Sequence, residues 1–241
     1  MNPLSEIFNL IFYQPLFNAL IFLYQYLPGH DFGMAIIFLT IFIRLALFPL
    51  SIQSLKSQKV LNDLQPKIKE IQEKYKNDRE KQAEELISLY QKERINPFSG
   101  FFSLFIQLPI LIALYQVFRK GFLPEAMTNL YGFVPHPGKI NPYFFGLINL
   151  SSPNSVLALL AGIFQFFQIK TLSPKIQKIK EKDALSQFSG IFQKQFLYLF
   201  SFLTILILIK YPSAISLYWL VTTLFSIFQQ SYVKSSRSRK N

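Results

Sequence analysis

The chain has 241 residues, 51% of them hydrophobic and only 16% charged, whereas charged residues make up about a quarter of a soluble domain; the composition points to lipid. With no Cys and two His, disulfides, thiol nucleophiles, Cys-based metal sites and a lipid-anchored N-terminal Cys are excluded, and a zinc site is starved of ligands. The formal charge of +12 calls for an anionic partner, and where that charge sits says more than its sum.

In chain order, the first apolar stretch is 7–27, uncharged and interrupted by Pro15, with Gln14, Asn18 and Gln25 spaced along one helical face. That pattern suits a helix lying in the membrane interface, the competing reading being a sixth span. Five further blocks have the length and apolarity of membrane-crossing helices, which need roughly 17–25 residues: 32–52, 97–118, 155–169, 196–209 and 213–233. The third and fourth are short and recruit flanking residues. No stretch alternates with the two-residue period of a barrel strand. The expected fold class is therefore all-α, a polytopic helical membrane protein with five transmembrane helices. Its organisation is an interfacial segment (1–31), a five-span core (32–233) and a basic tail (234–241).

Charge placement sets the expected topology. The loop 53–96 holds ten Lys/Arg, the loop 170–195 six and the tail four, while the alternating segments hold none (1–31), three (Arg119, Lys120, Lys139) and one (Lys210). Five spans with an outside N-terminus put all of the first group in the cytoplasm of a bacterial plasma membrane; a sixth span at 7–27 breaks this arrangement. Within 53–96, Leu61, Leu64, Ile68, Ile71 and Tyr75 repeat at coiled-coil spacing, and Ala83, Leu86/Ile87 and Tyr90 resume it after an Asn77–Asp78 turn. This predicts a cytoplasmic helical hairpin, with Pro66 marking a bend or a helix start. It is either a charge-paired linker or a docking arm.

No phosphate loop, nucleotide fingerprint, HExxH or nucleophile elbow appears, and no Asp, Glu or His lies in any of the five spans. Enzymatic chemistry, cofactors and metals are not expected, and a proton-coupled transporter lacks its usual intramembrane carboxylate. Arg44 is the one ionisable residue well inside a span, with twelve uncharged residues before it from Phe32 and eleven after it up to Lys56. Burying arginine at a helix centre costs about 2.5–3.5 kcal/mol on insertion scales. Snorkelling to the interface would relieve that cost; the favoured reading is a hydrated cavity between helices. The other polar residues in the spans are Thr40, Gln107, Gln165, Gln168, Ser216, Thr222 and Thr223. Each alone suits an interhelical hydrogen bond, although Gln165 and Gln168 share a face and could wet the same cavity. Trp219 is an interfacial anchor or a cavity wall.

Five segments carry a resemblance: AIIFLTIFIRLALFPL (35–50), LQPKIKEIQEKY (64–75), NPFSG (96–100), IQLPILIALYQVF (106–118) and SLYWLVTTLFSIFQQ (216–230). Together they resemble the YidC/Oxa/Alb membrane protein insertases over about 200 residues. The resemblance implies an outside N-terminus, an interfacial helix, five spans, a hairpin after the first span, and a hydrophilic groove open to cytoplasm and lipid. It assigns Arg44 to the groove arginine and Gln168 and Trp219 to groove-lining positions; Thr40, Gln107, Gln165 and Ser216 complete the candidate set. The implied function is insertion of nascent membrane proteins, with a small-solute transporter as the alternative. The lipid bilayer is the expected surroundings, and a ribosome and a Sec-type translocon are the further candidate partners. The large periplasmic domain and extra first span of many Gram-negative members are absent from this sequence, which puts partners bound through those parts in doubt.

Overall fold

The structure is a computed structural model that describes residues 3–96, 99–121, 123–172 and 198–238. It is mostly helical, with one short ribbon in an irregular connection between the sixth and seventh helices. Helix α1, Pro3–Tyr26, contains a π-turn at Asn9–Tyr13 directly ahead of Pro15. Proline has no N–H to donate, and the wider turn takes up the lost backbone bond.

Helix α2 runs Phe32–Ala46, and α3 runs Phe48–Asp63. Asp31 caps α2 by accepting from Met34 N at 2.9 Å. The single span expected over 32–52 is broken: α2 and α3 meet at Leu47 with a 64° bend. Pro49 stands at the start of α3, where its ring clashes with a continuing helix and restricts the residue before it. Pro66 likewise starts α4, Gln65–Lys74, one residue after α3 ends.

Helix α5, Arg79–Lys92, begins at Asp78, whose carboxylate accepts from Lys81 N at 3.0 Å. Three contacts cross between α4 and α5 and their C-terminal caps: Lys67 to Glu93 at 3.2 Å, Gln72 O to Gln82 Nε2 at 2.9 Å, and Tyr75 to Glu85 at 3.4 Å. Leu64 and Ile68 are buried, as the spacing in the first arm requires. The second arm turns differently from expectation. Ala83 and Ile87 are exposed, and Gln82, Leu86 and Leu89 take the inner positions with Tyr90, because Gln82 is anchored to the backbone of the first arm.

Helices α6 (Ser99–Lys120), α7 (Ser155–Leu172), α8 (Tyr198–Leu208) and α9 (Ser213–Ser238) follow. The last continues into the segment expected to be a separate basic tail. Helix α9 is central, packing mainly on α7 and α2 and touching α3 and α6; α1 packs on α2 and α6. At Gly162 of α7, an added Cβ would lie 2.2 Å from Ile205 of α8. That close approach needs glycine.

The connection between α6 and α7 is ordered by side-chain-to-backbone bonds. Asn18 of α1 donates to Asn129 O at 2.9 Å and accepts from Tyr131 N at 2.7 Å; Gln14 donates to Asn129 O at 3.2 Å; Tyr24 accepts from Asn141 N at 2.9 Å. The polar face that the sequence shows on α1 is thus turned onto protein. A two-stranded ribbon, β1 (Tyr143–Phe144) against β2 (Ile148–Asn149), lies on α2; the Phe144 ring occupies the space a side chain at Gly33 would fill. Two-residue strands are too short for periodicity to reveal. Ser213 donates through its hydroxyl to Asn149 O at 2.9 Å, fastening the start of α9 to the same connection.

By length and composition α1 is long and apolar enough to cross a membrane, α2 and α3 qualify only as one bent span, and α7 and α8 are shorter apolar helices, among the described residues.

Candidate functional site

Helix α9 carries the site. Ser216, Thr223, Ser226, Gln229 and Gln230 are buried on it at the three- and four-residue spacing of one face, a polar stripe spanning about 21 Å at 1.5 Å per residue. Leu224, Phe228 and Tyr232 on the other side are exposed. Helix α2 has the same inversion, with Thr40 buried and Phe38, Phe42 and Leu45 exposed. Buried amides inside and bare aromatics outside are the reverse of a soluble core.

Tyr218, 2% exposed, connects three helices. Its hydroxyl accepts a hydrogen bond from Gln107 Nε2 of α6 and lies within electrostatic reach of Arg44 of α2. Thr222, one turn along, sits beside that hydroxyl with its own Oγ1 buried. Arg44 itself is half-buried, and its Nε is buried without a hydrogen-bond partner among the described residues. The sequence position suggests the middle of a span, about 12 Å from its end. The structure instead puts Arg44 in the last turn of α2, two residues before the helix ends at the bend. There the free carbonyl ends of the helix favour a cation. No carboxylate pairs with it among the described residues.

The neighbouring residue, Trp219, faces α7: its Nε1 donates to Oε1 of Gln165. Two adjacent residues of α9 thereby direct one polar contact towards α2 and α6 and another towards α7. Gln168, one turn beyond Gln165, is half-buried and has no hydrogen bond among the described residues. Ser216 is fully buried with an unpartnered hydroxyl. Thr40 donates to Ile36 O of its own helix at 2.6 Å. Of the seven residues expected at the site, Gln107 bonds Tyr218, within electrostatic reach of Arg44, Gln165 and Trp219 form a pair, and the remaining three sit separately.

Sequence reasoning passed over Tyr218, Ser226, Gln229 and Gln230. The stripe was visible in SLYWLVTTLFSIFQQ as polar residues recurring every three or four positions. Tyr218 carried no such signal, since a tyrosine in an aromatic-rich span reads as ordinary apolar bulk.

Apolar side chains bare on the outside, around a helical core that buries amides and hydroxyls among its apolar residues, fit a helical membrane protein. The sequence pattern of the 60Kd inner membrane protein family matches residues 22–240, and the chain belongs to that family, the YidC/Oxa/Alb proteins its motifs resemble. Among its relatives is the membrane protein insertase YidC of Clostridium tetani, 34% identical over 207 residues, covering 86% of this chain and 83% of the relative. That of Oceanobacillus iheyensis is 30% identical over 234 residues, covering 95% and 84%. That of Geobacter metallireducens is 32% identical over 223 residues, covering 92% of this chain but only 37% of the longer relative.

Proposed function

We propose that the chain is a plasma-membrane insertase and chaperone. It carries short polar tails or loops of nascent membrane proteins through a hydrophilic groove open to the cytoplasm, and releases their apolar helices into lipid. The observation that supports the reading is Arg44: a cation at a broken helix end, within electrostatic reach of Tyr218, with a buried Nε that has no hydrogen-bond partner among the described residues. An unpartnered buried donor costs about 1–3 kcal/mol, so a transient acceptor is favoured there. The polar stripe of α9 supplies further donors and acceptors along the path. A polar segment faces roughly 30 Å of hydrocarbon; a wet recess shortens the dry part of that route without nucleotide hydrolysis by this chain.

The topology that goes with this reading has five spans, an outside N-terminus, α1 in the outer interface, and α4 and α5 as a cytoplasmic hairpin. The split of twenty Lys/Arg against four supports it, and so does the attachment of α1 to the α6–α7 connection through Gln14 and Asn18. Arg44, Gln107, Gln165, Gln168, Trp219, Ser216 and Thr40 line the groove in this proposal, with Tyr218 added. The ribosome and anionic lipid compete as counterparts of the basic residues from Lys234 onwards, and a translocon remains a candidate neighbour.

The test is a photocrosslinker at position 44, presented with a ribosome-stalled nascent membrane protein. Crosslinks to the nascent tail are expected; crosslinks to lipid alone would remove the groove from the account. Depletion separates this function from solute transport, since an insertase leaves small membrane proteins uninserted before any solute flux changes.

A further inference from the structure

A second polar recess lies at the opposite end of the molecule, between α1, the end of α6 and the segment that follows. It encloses about 340 Å³ and is lined by Asn9, Tyr13, Gln116, Lys120, Glu125 and Asn129, among others. Two of these belong to the π-turn of α1, and π-turns concentrate at functional sites because they redirect side chains. Tyr13 is a buried residue that packs its ring on Phe17, and its hydroxyl has no hydrogen bond among the described residues. Lys120 and Glu125 both reach the recess, yet no ion pair joins them among the described residues. An exposed cation and an exposed anion at the rim of one recess, with amides and a phenol beside them, match a ligand carrying both charges.

The surroundings say where that ligand comes from. Leu10 and Ile11 within the π-turn and Ile112 of α6, on the helices that border the recess, and Leu123 in its lining are all exposed, so apolar side chains lie bare on the same elements. We propose that this recess binds the headgroup of a zwitterionic phospholipid bearing a primary ammonium, in the outer leaflet. The phosphate lies against Lys120 and the Tyr13 hydroxyl, the ammonium against Glu125 and the Asn129 side chain, and the acyl chains run over the exposed leucine and isoleucine side chains. Specific pockets of a few hundred Å³ suit a group of this size. Bound lipid here would fix the π-turn of α1 to the end of α6. The leaflet assignment rests on the topology proposed above; the headgroup chemistry does not.

The experiment uses the full chain in nanodiscs of phosphatidylethanolamine, phosphatidylglycerol and phosphatidylcholine in equal parts, with retained lipid read by native mass spectrometry. The wild type is expected to retain phosphatidylethanolamine in preference to both others, since phosphatidylglycerol lacks the ammonium and phosphatidylcholine lacks its N–H donors. Glu125→Lys should lower that preference about threefold to fivefold, the scale of one partly exposed charge pair, and shift retention towards phosphatidylglycerol; Lys120→Glu should lower retention of all three lipids, since each carries the phosphate. Retention matching the bulk mixture, or a preference that both variants leave intact, overturns the proposal. Soluble glycerophosphoethanolamine stripping the bound lipid at low millimolar concentration would reassign the site to a free zwitterion and overturn the lipid as its source. Gly132→Cys reports the leaflet separately, because the chain has no other cysteine and an added Cβ there meets nothing within 4 Å. Labelling only from the cytoplasmic side overturns the outer-leaflet assignment and the topology beneath it, whatever the lipid preference.

Discussion

Asn18 is the residue on which the attachment of α1 most depends. It is 3% exposed, and its side chain makes three bonds: to Gln14 O at 2.8 Å, to Asn129 O at 2.9 Å, and from Tyr131 N at 2.7 Å. Asn18→Ala removes all three. Each is worth about 1 kcal/mol net, and the Tyr131 N–H left without an acceptor adds a desolvation penalty of similar size. Asn129 O keeps Gln14 as a donor, so its loss is partial. The sum is a destabilisation of about 2–4 kcal/mol, with α1 released from the connection before the rest of the bundle opens. Asn18→Asp is the sharper control: it retains the acceptor for Tyr131 N but sets a carboxylate against two carbonyls, and should cost at least as much as alanine. Thermal unfolding in detergent measures the loss, and limited proteolysis within 123–131 reports local release. A melting temperature within a degree of wild type, with unchanged proteolysis, would refute the view that this side chain holds α1 in place.

Arg44→Ala should reduce insertion of tails bearing Asp or Glu about tenfold, because a hydrogen bond to a charged group is worth roughly 1.5–3 kcal/mol, while uncharged tails lose little; equal insertion of both by the variant removes attraction from the mechanism. Arg44→Lys should retain much of the wild-type activity, since the proposed role is charge rather than bidentate geometry; a lysine variant as impaired as alanine would point to the guanidinium shape. Gly162→Leu puts its Cβ within 2.6 Å of two Ile205 carbons, and overpacking of this kind costs about 1–3 kcal/mol. Pairing it with Ile205→Ala should recover most of the lost thermal stability; no recovery in the double variant would mean that α7 and α8 do not pack through this point.

Much of the helical framework is legible from apolar block length, because lipid imposes a composition that no loop shares. Helices α6, α7, α8 and α9 fall close to 97–118, 155–169, 196–209 and 213–233. The break between α2 and α3 was also written in the sequence, as Pro49, but apolarity runs unchanged across Leu47 and a hydropathy reading sees one block. The consequence falls on Arg44, which moves from mid-span to a helix end. The fixing of α1 to Asn129, Tyr131 and Asn141 was illegible for a different reason: the partners are backbone atoms of a remote segment, and backbone atoms leave no trace in residue identity. In the paired helices α4 and α5, spacing gave the first arm correctly, whereas the second arm offers Ala83 and Gln82 as near-equivalent inner positions and a side-chain-to-backbone bond chose between them.

The fastening at the α6–α7 connection bears on what the bilayer can store. Asn18, Tyr24, Asp31 and Ser213 all anchor backbone of that one segment, so the connection is held at several points by the helices around it. In the groove reading proposed above, a segment tied down in this way would need no moving gate on that face, and a cell could keep its ion gradients charged however often the other end is occupied.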